Sequence, residues 1–151
     1  MENVDKSVDK IAPALLEAQK QCKSLIANKQ NDFYNSTYAD LHACVEACQD
    51  ALFNQGIMII QGFDHYTENG VFFVNTTLMH TSGQTIENQV GLPIVKKDPQ
   101  AIGQLCTYGR RYGLTALMCL SEEDDDGNST GNYEPKENVD MGELAKEVAG
   151  F

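Results

Sequence analysis

No apolar run in this 151-residue chain approaches the roughly 20 residues that a membrane-spanning helix requires, so no helical span is expected. The amino terminus, Met1-Glu2-Asn3-Val4-Asp5, lacks the apolar stretch of a secretory signal. Five cysteines (Cys22, Cys44, Cys48, Cys106 and Cys119) contain no CxxC pair, and without an export signal they read as reduced, mostly buried thiols. A cytoplasmic protein is expected. Neither a Walker lysine loop nor a GxGxxG run is present, which argues against a nucleotide hydrolase or a dinucleotide enzyme. Basic residues are also scarce: 11 Lys and Arg stand against 22 Asp and Glu, for a formal net charge of −11. Such a chain does not bind nucleic acid through its whole surface.

That deficit is unevenly spread. Residues 121–151 hold ten acidic and two basic residues, whereas residues 1–120 hold twelve and nine. The body therefore keeps the option of a local basic groove. With 42% apolar and 22% charged residues, the composition is that of a folded domain. The expected organisation is a folded body over 1–120 and an acidic, flexible tail over 121–151, with a short helix around Met141 to Ala149.

Periodicity supplies the elements. From Ser7 to about Asn28, apolar residues recur at helical steps through Ile11, Leu15, Leu16, Ala18, Cys22, Leu25 and Ile26. Lys29 to Thr37 reads as a loop or extended arm. A second helix is expected from Tyr38 to Asn54, ended by Gln55-Gly56 with glycine at C′. The period then falls to two. Ile57 to Ile60, Val71 to His80 and Thr85 to Leu92 read as three strands of an antiparallel meander, with a hairpin turn at Thr81-Ser82-Gly83-Gln84. Asp98-Pro99 offers a carboxylate cap and a first-turn proline to a long helix reaching about Cys119. The fold class is α+β: a three-stranded antiparallel β-meander packed on a long helix, preceded by two helices.

On the long helix, Gln100, Gln104, Thr107 and Arg111 form one polar stripe, while Ala101, Leu105, Tyr108, Gly109, Tyr112 and Ala116 cover the apolar side. Lys96 and Lys97 precede the helix, and Arg110 flanks the stripe. Cations beside amide and hydroxyl donors suit phosphates without reading bases. The alternative is a solvated face with Arg111 in a structural ion pair. On the arm, Phe33, Tyr34 and Tyr38 beside Lys29 suit base stacking on single strands, or simply pin the arm to the body. His42, Cys44 and Cys48 share one helix and give no convergent catalytic or metal set, so packed thiols are expected. Glu122 to Gly127 partly mimics a calcium loop, but Tyr133 stands where its bidentate acid belongs. A solvated run is the better reading, with weak Mg²⁺ association left open.

The segment Asp98-Pro99-Gln100-Ala101-Ile102-Gly103-Gln104-Leu105-Cys106-Thr107-Tyr108-Gly109-Arg110-Arg111-Tyr112-Gly113-Leu114, followed by Glu123-Asp124-Asp125-Asp126-Gly127-Asn128, closely resembles the Erf (essential recombination function) family of phage single-strand annealing proteins. Tyr34, Tyr38-Ala39-Asp40-Leu41, Leu52, Gly56 and His80-Thr81-Ser82-Gly83 agree with it, so the match spans roughly residues 7–128. The resemblance implies an ATP-independent, non-enzymatic protein of a bacterial host cell, phage- or prophage-encoded. It implies binding of single-stranded DNA, annealing of complementary strands, and assembly into rings or filaments, with no cofactor required. It further implies a fold akin to that of the eukaryotic annealing recombinases. Two other classes remain open at this point. One is an interaction module of the same fold that binds a recombination or single-strand-binding protein; the other is a metal-dependent nuclease using the acidic run.

Overall fold

The structure is a computed structural model and describes residues 7–31, 36–64 and 70–123. The first helix, α1, spans Ile11–Gln21 and buries Ile11, Leu15 and Ala18. It ends earlier than its periodicity predicts. Cys22 is already extended (ψ 143°), and the chain continues into strand β1, Leu25–Ile26, which buries Leu25 and exposes Ile26. Alternation over so short a segment is indistinguishable from one helical turn in sequence. Strands β2 (Lys29–Asn31) and β3 (Ser36–Tyr38) pair antiparallel, so the expected arm is a small hairpin at its base.

Helix α2 is Leu41–Asn54, three residues shorter at its start than expected. Asp40 takes the N-cap position, its side chain accepting from the Ala43 N–H at 2.9 Å. Tyr38 therefore belongs to β3. At the other end Gly56 adopts φ +67°, which the C′ position favours in glycine, and its carbonyl accepts from the Thr81 N–H at 2.9 Å.

Strands β4 (Ile57–Asp64), β5 (Val71–His80) and β6 (Thr85–Pro93) form the antiparallel meander in the order β4-β5-β6. The alternating residues Phe72, Val74, Thr76 and Leu78 of β5 point into the body. Helix α3 (Pro99–Met118) lies across β5 and β6, capped by the Asp98 side chain on the Ala101 N–H at 2.9 Å. Strand β7, Glu122–Glu123, pairs in parallel with β1, so residues beyond 120 are joined to the body. The rest of the acidic run, the terminal segment to Phe151, and Phe33 and Tyr34 lie outside the described residues.

The architecture is α+β, as expected. One core gathers α1, α2, the carboxy-terminal half of α3 and the inner faces of β4 and β5 around Leu52, Ile57, Leu78, Leu114 and Met118. Cys44 and Cys48 are packed in it. No helix among the described residues is long and apolar enough to cross a membrane.

Candidate nucleic-acid interface

Two glycines bring α3 down onto the sheet. A methyl group added at Gly109 would overlap the Val74 side chain, and one at Gly113 would overlap the Thr76 hydroxyl. The buried side of α3 comprises Gly109, Arg111, Gly113, Leu114 and Met118, whereas Tyr108, Tyr112 and Ala116 are exposed. The expected apolar side is thus displaced around the helix. Counting tyrosine as apolar hides the fact that two side-chain-free positions make the closest contact.

At about 100° per residue, Gln100, Thr107, Leu114 and Met118 share one angular sector of α3. In the carboxy-terminal half that sector is covered, with the Gln19 side chain of α1 donating to the Leu117 carbonyl at 3.1 Å. In the amino-terminal half it opens into a groove of about 490 Å³. The polar stripe Gln100, Gln104, Thr107 and Arg111 forms one wall, with Gly103 and Tyr108, and Tyr38, Asp40 and Leu41 form the other. A second groove, of about 240 Å³, holds Lys96 with Pro93, Val95, Ala101 and Leu105. Gln104 and Tyr108 line both and form the ridge between them.

Arg111 lies at the base of the larger groove, 9% exposed. Its Nη1 donates to the Ala39 carbonyl and its Nη2 to the Tyr112 hydroxyl, each at 3.2 Å. The guanidinium sits 4.7 Å from the Tyr38 ring centre, 4.9 Å from Tyr112 and 5.3 Å from Tyr108. No carboxylate pairs with it among the described residues. This is neither a solvated face nor an ion pair. The positive charge is held by a carbonyl and three ring faces, which leave it uncancelled. Asp40 stands on the opposite wall, its carboxyl held below the usual range chiefly by the Ala43 N–H that it caps.

The other predicted residues are placed as follows. Arg110 is half-buried and turns towards β4: its Nε donates to Gln61 Oε1 at 3.0 Å, and Gln61 Nε2 donates to the Arg110 carbonyl at 2.8 Å. It lines neither groove. Lys97 is exposed and also lines neither. Lys29 is exposed directly across the β2–β3 ladder from Tyr38. Thr107 donates its hydroxyl to the Gly103 carbonyl at 3.1 Å, leaving its oxygen as an acceptor. Sequence reasoning missed Tyr108 and Tyr112 as surface groups; their i, i+4 spacing beside an arginine was the available signal.

No curated protein and no solved structure matches the chain. The profile of the ERF superfamily matches residues 11–145, which include every described element from α1 to β7. The chain belongs to the ERF superfamily, whose role at the level of the family is phage-type recombination and single-strand annealing.

Proposed function

We propose that this chain binds single-stranded DNA along the two α3 grooves and anneals complementary strands without ATP or a covalent step. The observation that carries the reading is the meeting of Tyr38 with Gln100, Gln104, Thr107 and the uncancelled Arg111 in one groove. Amide and hydroxyl groups with a fixed positive charge suit a sugar-phosphate chain, and none of them selects a base. Lys96 extends the positive track past the ridge, while Lys97 and Lys29 supply exposed charges at its margins. A strand held by its backbone keeps its base edges free for a second strand.

One groove of this size gives weak binding. Side-by-side assembly into a ring or filament would repeat it and raise the avidity. No cofactor is needed for this chemistry, and the acidic run near Glu122 is a candidate only for loose Mg²⁺ association.

The test is oligonucleotide binding across a salt series, with annealing of complementary strands measured in the absence of ATP. Lys96→Ala should weaken binding equally for all sequences and flatten the salt slope by about 0.7. A folded variant with unchanged slope removes Lys96 from the track. If the intact protein binds no oligonucleotide at low salt, the annealing reading fails and a module binding a recombination or single-strand-binding protein replaces it.

A further inference from the structure

We infer that Tyr108 and Tyr112 form a nucleobase-stacking platform, with Arg111 as its positioning residue; this rests on the single-strand reading above and names the part of the strand that these rings take. The two side chains leave α3 one turn apart, about a quarter turn around the helix from Gly109 and Gly113, which face the sheet. Their rings are 6.0 Å apart and inclined by 25°, an offset stack. Both remain exposed, Tyr108 at 40% and Tyr112 at 45%. Two adjacent, exposed aromatic side chains offer ring surface on which a base can stack.

The local charge and shape specify the occupant. Arg111 contacts both rings from beneath and donates to the Tyr112 hydroxyl, so the pair is ordered before any ligand arrives. Pre-ordered rings lose little side-chain freedom on binding. The positive charge below them disfavours a cationic partner and favours an anionic chain. Tyr108 also forms the ridge between the two grooves, so a backbone crossing from Arg111 to Lys96 carries its bases past that ring. Stacking engages only the face of a base. Its pairing edge stays outward, which annealing requires.

The platform predicts discrimination between a strand with bases and one without. The probes are oligothymidylate and an abasic strand of equal length, titrated at low salt into the full chain. The intact protein should prefer oligothymidylate by about tenfold, the scale of one stacked base. Tyr108→Ala with Tyr112→Ala should abolish that preference, weakening oligothymidylate binding about tenfold more than binding of the abasic strand. The double phenylalanine variant, which keeps both rings, should retain it. Equal affinity of the intact protein for the two strands overturns the platform and leaves the groove reading standing. A preference that survives in the double alanine variant overturns it as well, by placing the stacking elsewhere. Failure of both strands to bind removes the platform together with the single-strand reading.

Discussion

Gly109 and Gly113 set the distance between α3 and the sheet, and through it the position of every groove residue. Alanine is intrinsically the better helix former by about 1 kcal/mol. Here the gain is outweighed, because the added methyl group meets Val74 within a packed interface. Gly109→Ala should therefore lower stability by about 1–3 kcal/mol in urea unfolding; an unchanged or raised midpoint would show that the helix can lift freely. The thiols make a second residue-scale case. Burial, reinforced by the neighbouring Cys22 and Cys44, pushes the Cys48 thiol up to about 12, whereas Cys119 is exposed at the end of α3. Because the thiolate is the reacting form, maleimide should label Cys119 in the folded protein and reach Cys48 only after denaturant is added. Equal labelling rates would contradict the packed core around α2.

Among the elements, α1 depends on the distant hairpin turn between β5 and β6 for its start. Lys10 gives it no side-chain cap. Instead, the Lys10 and Ile11 N–H groups donate to Gln84 Oε1 at 2.8 and 3.0 Å, and Gln84 Nε2 donates to Asp9 at 2.6 Å. The Ser7 hydroxyl and then the Gln84 amide hold the Asp9 carboxyl at about 2, against an ordinary 3.8. A depressed carboxyl contributes stability above its unfolded value, and loses it as pH falls towards the folded one. The contribution should therefore be complete above about pH 4 and disappear towards pH 2. In Gln84→Ala the Asp9 titration, followed by NMR, should move upward and α1 should fray. An unmoved midpoint would mean that Ser7 alone holds the carboxylate.

At the scale of the whole molecule, two charge and edge effects are testable. Residues 121–151 carry ten acidic and two basic residues and are tethered by β7 to the body that holds the grooves. A tethered acidic segment competes with phosphates at high effective concentration. Deleting 129–151, and keeping Glu122 to Asn128, should tighten oligonucleotide binding at low salt, with the difference shrinking as salt screens it. Identical affinities at both salts would make the segment a bystander. The meander also ends in β4 and β6, each with one edge unpaired by strands among the described residues. Such edges favour subunit pairing, and light scattering should show assemblies larger than a monomer with DNA present. Monomer alone at high concentration would rule out the ring or filament.

Local chemistry determined most of the frame. Strand alternation, the Asp98-Pro99 start, Gly56 at C′ and the Gln100–Arg111 stripe are properties of neighbouring residues, and each stands where periodicity puts it. What escaped the sequence depended on partners far along the chain. Strand β1 exists because Glu122 and Glu123 lie beside it, and α2 begins late because Asp40 is free to cap only when Tyr38 has joined β3. The two arginines diverge for the same reason. Adjacent on one helix, they sit 100° apart, so Arg110 meets Gln61 on β4 while Arg111 meets Ala39 and three tyrosine rings. Side-chain type and spacing fixed which polar and charged groups α3 carries. Only the close approach of α3 to the sheet, through Gly109 and Gly113, decided which of them face a groove and which face the protein.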